Sequence, residues 1–115
     1  MYKFGTIVLI PFPFTDLSAT KLRPALIISK NSSPFEDIIL AFISSKTSSV
    51  KNKEDFLLNI NHKDFKATGL KTASVFKFGK IATLNKKLLV GELGKISPPL
   101  IKAMKKSFEA VFGFF

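Results

Sequence analysis

The sequence predicts a mainly β domain, a small barrel with one C-terminal α-helix. Short runs rich in β-branched and aromatic residues recur along the chain, with turn-forming residues between them. One run changes the register of its alternation at Gly79, which predicts a bulge or bend of the kind that a small barrel requires. A single helical pattern follows at the C-terminus. Because 115 residues are the length of one domain, we expect residues 1–115 to form a single domain.

Two strand-like runs and the one arginine of the chain lie near the N-terminus. Thr6–Phe12 has the β-branched and aromatic residues of a strand, and Ala25–Ser29 is a short apolar run typical of a buried strand. Pro13–Leu22 between them is polar and rich in turn formers, which predicts a loop. Pro24 lacks a backbone N–H and biases Arg23 toward an extended conformation. Arg23 should therefore stand where the loop becomes the second strand.

The rest of the chain alternates strand patterns with polar segments. Asp37–Ser45 has the pattern of a buried central strand, and Asp55–Ile60 that of a further strand. Residues 46–54 are polar and basic without a strong pattern, so we expect the most mobile segment there. Thr72–Leu84 is a long strand with the slipped alternation, and Leu88–Ile96, which contains two glycines, is predicted to be a broken last strand.

A C-terminal helix is predicted to begin after Ser97. A serine directly before Pro98 and Pro99 is the pattern of an N-cap and a first helical turn, and Gly113 predicts the end. The apolar residues at helical spacing are Ile101, Met104, Phe108, Val111 and Phe112. We expect this stripe to pack on the barrel, and a helix that lies on a membrane surface is the alternative.

The composition bounds the class of partner. Lysine and arginine total 18 against 8 acidic residues, which gives a formal net charge of +10. Such a charge attracts nucleic acid, an acidic protein segment or an anionic membrane surface. Lysines also keep a chain with 13 phenylalanines soluble and are common in heat-adapted proteins, so charge alone does not decide. No apolar run approaches the roughly 20 residues of a membrane span, so we expect a cytoplasmic protein without a membrane partner.

The available residue types exclude most catalytic chemistries. The chain has no cysteine and one histidine, which excludes disulfides, thiol nucleophiles and an acid–base pair of two histidines. Its carboxylates are scattered without a D-x-D or E-x-x-H pattern, and it has no Gly-rich phosphate loop. We therefore expect no metal and no cofactor. Any catalysis must use arginine, hydroxyl groups and lysines.

The N-terminal sequence resembles that of a known family. Residues 5–18 read G-x-I-V-L-x-P-F-P-F-T-D-L-S, and residues 21–29 read K-x-R-P-A-L-I-I-S. This order resembles the opening of the MazF/PemK-like toxins of bacterial type II toxin–antitoxin modules, and the resemblance continues more weakly to the terminal helix. It implies an SH3-like β-barrel that forms a homodimer and cuts single-stranded RNA without a metal. It also implies a cognate antitoxin protein that holds the toxin inactive.

One reaction suits this small set of reactive residues, the attack of an RNA 2′-hydroxyl on its neighbouring phosphodiester to give a 2′,3′-cyclic phosphate. The substrate supplies the nucleophile, so the protein mainly positions it and stabilises charge. A guanidinium offers a planar fork of donors to two phosphoryl oxygens, which makes Arg23 the chief catalytic candidate. The alternative is a structural or surface arginine, and the place of Arg23 in the R-P-A-L motif favours the catalytic role.

Two serines follow the third predicted strand. The family places a threonine there, facing the arginine, and the corresponding residue in this chain is Ser44, followed by Ser45. A serine hydroxyl can donate the same hydrogen bond, although its rotamer is less constrained without the methyl group. We expect Ser44 to be catalytic and Ser45 to contact RNA. The alternative is that strand-end serines only satisfy backbone groups.

The chain departs from the family in the strand around Gly79. Some members carry an acidic residue at this position and an arginine at that of Lys77, with catalytic or RNA-reading roles. A carboxylate from this strand is excluded here, so either the general base lies elsewhere or the rate and specificity differ from those of relatives. Lys77 and Lys80 can still contact phosphate as point charges.

Residues of the first loop are expected to line an RNA groove. They are Phe14, Thr15, Asp16 and Lys21, and phenylalanine offers a stacking face for an unpaired base. The alternative for Phe14 is a place in the core.

Two other functions stay open from the sequence. One is a toxin of the same fold that inhibits a protein such as DNA gyrase without nuclease chemistry. The other is a non-catalytic nucleic-acid-binding barrel, which would bind RNA in a salt-dependent way and leave it intact. In each toxin function, the basic surface suits an antitoxin with an acidic tail that orders on binding.

Overall fold

Six antiparallel strands and one helix form the structure, a computed structural model that describes residues 2–12, 21–30 and 37–115. The strands are β1 Thr6–Phe12, β2 Lys21–Ile27, β3 Asp37–Ser44, β4 Asp55–Leu58, β5 Ser74–Asn85 and β6 Gly91–Lys95. They form one sheet in the order β4-β5-β3-β2-β1-β6. Three 3-10 turns, at Thr47–Ser49, Lys66–Thr68 and Lys86–Leu88, lie between strands, and helix α1, Pro98–Glu109, follows the last strand.

The sheet buries side chains on both of its faces and is curled. On β1, Ile7 packs into one buried cluster while the next residue, Val8, packs into another. Leu26 and Ala25 of β2 divide between the same two clusters, because successive strand residues point to opposite faces. The cluster of Ile7 and Leu26 also contains Leu100 of α1, so the helix covers that face. The predicted mainly β fold with one C-terminal helix is confirmed.

Pro24 determines where β2 separates from β3. β2 pairs with β1 from its first residue, whereas it pairs with β3 only over Ala25–Ile27. The Ile28 amide donates to the Ile39 carbonyl of β3 at 2.9 Å. Because the N–H groups of a strand alternate in direction, the Pro24 nitrogen also faces β3, and it carries no proton to donate. The β2–β3 ladder therefore stops at the residue after the proline.

The second strand begins earlier than the sequence predicts. β2 begins at Lys21 rather than at Ala25, so Arg23 lies inside the strand and not at its junction with the loop. The cause is pairing with β1, in which Arg23 lies opposite Ile10. Since the missing N–H of Pro24 faces the other side, it leaves this ladder intact.

The irregularity predicted at Gly79 is present as a shift of register in β5. Ala41 of β3 pairs with Ile81, and the next β3 residue, Phe42, pairs with Lys77. The β5 residues between Lys77 and Ile81 therefore have no counterpart in the β3 register. Extra residues on one strand of a pair bend that strand and increase its twist, which curls the sheet.

The N-cap of α1 lies where the sequence predicts it. The Ser97 hydroxyl accepts a hydrogen bond from the Leu100 amide at 3.3 Å and donates to Asp64 Oδ2 at 2.8 Å. The cap thus satisfies a free amide of the first turn and ties the helix to the loop after β4. No helix in the described residues has the length and apolar character needed to cross a membrane.

The helix ends before its predicted end. Its last residue is Glu109 rather than one adjacent to Gly113. The chain then turns so that the ring of Phe112 lies 5.0 Å from that of Phe108, and the ring of Phe115 lies 6.5 Å from it. After Glu109 the backbone hydrogen bonds change to the tighter i→i−3 type, from the Val111 amide to the Phe108 carbonyl and from the Phe112 amide to the Glu109 carbonyl.

The basic segment at 46–54 contains the 3-10 turn Thr47–Ser49, in which the Ser49 amide donates to the Lys46 carbonyl at 2.9 Å. The mobility expected of this segment stays a prediction. The broken last strand predicted over Leu88–Ile96 is shorter in the structure, where β6 spans Gly91–Lys95 and Leu88 belongs to the turn Lys86–Leu88.

Candidate active site

A cleft opens where β2 and β3 separate. Its volume is about 360 Å³, and one of its walls comes from the chain that leads into β5. The lining includes Arg23, Pro24, Ile43, Ser45, Lys71 and Thr72. The two cations and the two hydroxyl residues among them are exposed, whereas Ile43 is buried beneath them. The cleft therefore presents positive charge and hydrogen-bond donors on an apolar base, as a site for a phosphodiester would.

The strand register brings the predicted serines to the side of Arg23. The last pair of the β2–β3 ladder is Ala25 with Phe42. Continuing this antiparallel register by two residues places Arg23 opposite Ser44. The next residue, Ser45, lines the cleft together with Arg23. The catalytic role of Arg23 and Ser44 and the RNA contact of Ser45 stay predictions, and their placement is compatible with them.

The Ser44 side chain already makes one hydrogen bond. Its Oγ accepts from the Lys46 amide at 3.1 Å, and the side chain is half-buried. A hydroxyl that accepts one bond keeps its own proton for donation. The two roles weighed for this serine, satisfying a backbone group and donating to a substrate, are therefore compatible in one side chain.

Lys77 lies outside the cleft. Its Nζ is 3.6 Å from Asp55 Oδ2, and the two side chains are 12% and 8% exposed. The same Nζ donates to the Ser49 carbonyl at 2.7 Å. Because an acid neutralises its charge and a backbone carbonyl takes one of its donors, this lysine is poorly placed for the direct phosphate contact expected from the sequence.

The other predicted RNA contacts lie apart from one another. Lys21 is exposed at the start of β2, and Lys80 is exposed beside Gly79 in β5, and neither lines the cleft. Their roles stay predictions. Phe14, Thr15 and Asp16 lie outside the described residues.

A carboxylate does stand next to Gly79. The Phe78 amide donates to the Glu54 carbonyl at 3.2 Å, and a Cβ atom at Gly79 would overlap the Glu54 carboxylate oxygen. The absence of a side chain at Gly79 therefore makes room for Glu54. This acid does not line the cleft of Arg23.

Lys71 and Thr72 are cleft residues that the sequence did not single out. Both are exposed and precede β5. The chain reaches them through Gly69, whose positive φ of 73° and close approach to the Leu93 carbonyl admit no side chain. A lysine and a threonine after a turn glycine are too common to mark a site. Only the packing of this turn against β6 brings them to Arg23.

A second concavity lies between α1 and the sheet. Its volume is about 260 Å³, and its walls are almost wholly apolar, with Phe4, Ile101 and Phe108 among them. Lys102 and Lys105 lie at its edge. In the described ranges, no group of three or more histidine, aspartate or glutamate side chains is arranged to hold a metal ion.

The sequence as a whole matches one protein family. The family described as the PemK-like, MazF-like toxin of type II toxin-antitoxin systems matches residues 3–112. The chain belongs to this toxin family. The resemblance read from the N-terminal motifs is confirmed. A search of curated proteins finds no match.

Solved structures of toxins share the fold. An endoribonuclease from a mycobacterial species, in complex with its cognate antitoxin, has a TM-score of 0.78 at 17% identity, covering 100% of this chain and 98% of that chain. Another mycobacterial endoribonuclease has a TM-score of 0.70 at 18% identity, with 97% and 91% covered. The Mycobacterium tuberculosis toxin MazF-mt6 has a TM-score of 0.72 at 16% identity, with 93% and 95% covered. At these identities the likeness establishes the fold.

Proposed function

We propose that the chain is the toxin of a type II toxin–antitoxin module and a sequence-specific endoribonuclease that cuts single-stranded RNA in the cytoplasm without a metal. The observation that carries the proposal is the cleft that Arg23, Ser45 and Lys71 line together, and continuing the β2–β3 register past its last pair places Ser44 opposite the arginine. Family membership supports the proposal, as do the similar structures described as endoribonucleases.

The reaction follows from what this cleft can do. The RNA 2′-oxygen attacks the adjacent phosphorus and loses its proton, while the bond from phosphorus to the 5′-oxygen breaks. The departing 5′-oxygen takes up a proton, so the products are a 2′,3′-cyclic phosphate and a 5′-hydroxyl. Charge grows on the non-bridging oxygens in the transition state, where the planar donor fork of Arg23 can bind two of them. The hydroxyl of Ser44 can donate a further hydrogen bond.

The cleft offers few groups that could act as a general acid or a general base. Among the cleft-lining residues that the structure describes, none carries a carboxylate. We therefore assign most of the rate enhancement to positioning and to electrostatic stabilisation, which need no titrating side chain.

The test is incubation of the purified protein with an unstructured RNA in excess EDTA, followed by sequencing of the RNA ends. The proposal requires cleavage at a recurring sequence motif, with 2′,3′-cyclic phosphate and 5′-hydroxyl ends. RNA that is bound but left intact would instead indicate a non-catalytic binding barrel. If the protein neither binds nor cleaves the RNA, the result would favour a toxin that inhibits a protein target.

We further propose a homodimer and a cognate antitoxin with an acidic tail. The apolar concavity beside α1 and the lysines at its edge suit an amphipathic acidic segment. The similar mycobacterial endoribonuclease was solved with its cognate antitoxin, which supports a partner of this kind. Sedimentation of the protein alone tests the dimer. Inhibition of cleavage by the small acidic protein encoded beside the toxin tests the antitoxin.

A further inference from the structure

We propose that Lys77 and Asp55 are positioning residues. Their ion pair holds the 3-10 turn Thr47–Ser49, which orients the Ser44 hydroxyl toward the site of Arg23. The inference rests on the proposed function for its catalytic consequence, and its structural part can be tested without any cleavage. We name the pair the Lys77–Asp55 clamp.

The clamp grips the chain at two points of one loop. Asp55 and Lys77 lie directly opposite each other in the β4–β5 ladder, which makes their side chains neighbours. The Lys77 Nζ donates to the Ser49 carbonyl at 2.7 Å. Asp55 Oδ2 accepts from the Lys51 amide at 2.8 Å. Each of the two side chains therefore contacts the other and also one backbone group of the loop between β3 and β4.

The turn connects the clamp to Ser44 through backbone and hydroxyl groups. The amide and the hydroxyl of Ser49 both donate to the Lys46 carbonyl. The Lys46 amide donates in turn to Ser44 Oγ at 3.1 Å. An unbroken series of hydrogen bonds thus runs from a largely buried ion pair to the hydroxyl predicted to act in catalysis.

Both the burial and the placement of Lys77 favour this indirect role over a contact with RNA. The Lys77 side chain is 12% exposed, and its Nζ faces an acid and a carbonyl. In the β3–β5 ladder Lys77 lies opposite Phe42, whereas Ser44 lies opposite Val75. Lys77 is therefore offset from the serine along the strands and reaches it only through the turn.

The experiment compares Lys77→Met with Lys63→Met, which removes the same charge from an exposed turn. We expect Lys77→Met to lower the single-turnover cleavage rate by about 100-fold, because a displacement of about 1 Å costs that much. KM and the salt dependence of RNA binding should stay unchanged. Lys63→Met should keep the wild-type rate. Lys77→Arg should restore most of the rate, because a guanidinium can bind both the carboxylate and the carbonyl.

Removing Lys77 alone leaves the largely buried Asp55 carboxylate without its ionic partner, with only the Lys51 amide bound to it, and this can unfold the protein. The double variant Asp55→Asn with Lys77→Met avoids this charge, and we expect it to fold and still to cleave slowly. In a Ser44→Ala background the further loss on Lys77→Met should shrink to within about twofold, since coupled residues do not add.

NMR relaxation of the backbone amides at 46–49 decides the structural part. We expect their order parameters to fall from about 0.85 to below about 0.6 in the double variant. Unchanged order parameters would overturn the proposal. A Lys77→Met variant with a raised KM and an unchanged rate would also overturn it, if the slope of the logarithm of the RNA binding constant against the logarithm of salt concentration fell by about one. That combination is the signature of a direct phosphate contact. If the wild-type protein cleaves no RNA, the proposed function fails, and the order parameters alone decide whether the clamp holds the turn.

Discussion

Replacement of Arg23 by alanine is the most direct test of the site. The guanidinium is exposed at the cleft, and it makes no hydrogen bond or ion pair with the other residues that the structure describes. A single transition-state donor is worth about 100- to 1,000-fold in rate, and an arginine that binds a transferring phosphoryl group about 1,000- to 100,000-fold. We therefore expect Arg23→Ala to reduce cleavage by at least about 1,000-fold, or about 4 kcal/mol of transition-state stabilisation.

The same variant should leave the fold unchanged. Surface substitutions without partners change the free energy of unfolding by about 0.5 kcal/mol at most. For a domain of this length that corresponds to a shift of at most about 2–3 °C in the melting temperature. The assay is single-turnover cleavage of a fluorescent RNA that contains the mapped motif, beside a thermal melt of each variant.

Arg23→Lys is the matched control because it keeps the charge and removes the planar fork of donors. We expect a rate between those of the wild type and Arg23→Ala, since a lysine binds phosphate as a point charge. Full activity in Arg23→Ala with an unchanged melt would refute the catalytic assignment. A large drop in melting temperature would instead show a structural role for this arginine.

Three further predictions concern the cleft and its support. Ser44→Ala should slow cleavage about 100-fold, whereas Ser44→Thr should preserve the rate. A threonine variant with a much lower rate and an unchanged melting temperature would argue that Ser44 does not occupy the position of the family's threonine. Lys71→Ala should raise KM several-fold and lower the salt slope of RNA binding by about one, whereas an unchanged slope would exclude a phosphate contact. Gly69→Ala should lower the free energy of unfolding, measured with a denaturant, by more than about 1 kcal/mol, because the φ of Gly69 is positive and a Cβ would overlap the Leu93 carbonyl. Gly113→Ala is the control and should leave it unchanged, since the space around Gly113 is open.

The local elements of this fold were largely predictable. β1 has the predicted bounds, the N-cap at Ser97 lies where a serine before two prolines indicates it, and the irregularity of β5 lies at Gly79. Each follows from covalent chemistry or from the period of side chains along one strand or helix. The predicted boundary of a strand was wrong where pairing with a strand distant in the sequence set its first residue. β2 is longer than predicted because it pairs with β1 from Lys21 onward.

The candidate site was predictable only in part. Arg23 and the two serines followed from a family motif. Arg23 and Ser45 line one cleft, and Ser44 precedes Ser45 at the end of β3. Lys77 was expected to contact phosphate, and the structure shows its side chain paired with Asp55 outside the cleft. Its contact with RNA stays untested. A lysine on a strand has no local feature that distinguishes a free side chain from one opposite an acid on the next strand.

The sequence by itself determined β1, the helix cap and the missing N–H of Pro24, because these depend on neighbouring residues and on the bonds within them. Only the tertiary structure decided that the break at this proline becomes a cleft, that Lys71 joins Arg23 there, and that Lys77 is neutralised by Asp55. The physical reason is that such meetings depend on the order and register of strands far apart in the chain. That order is set by burial of the whole sheet rather than by any one segment.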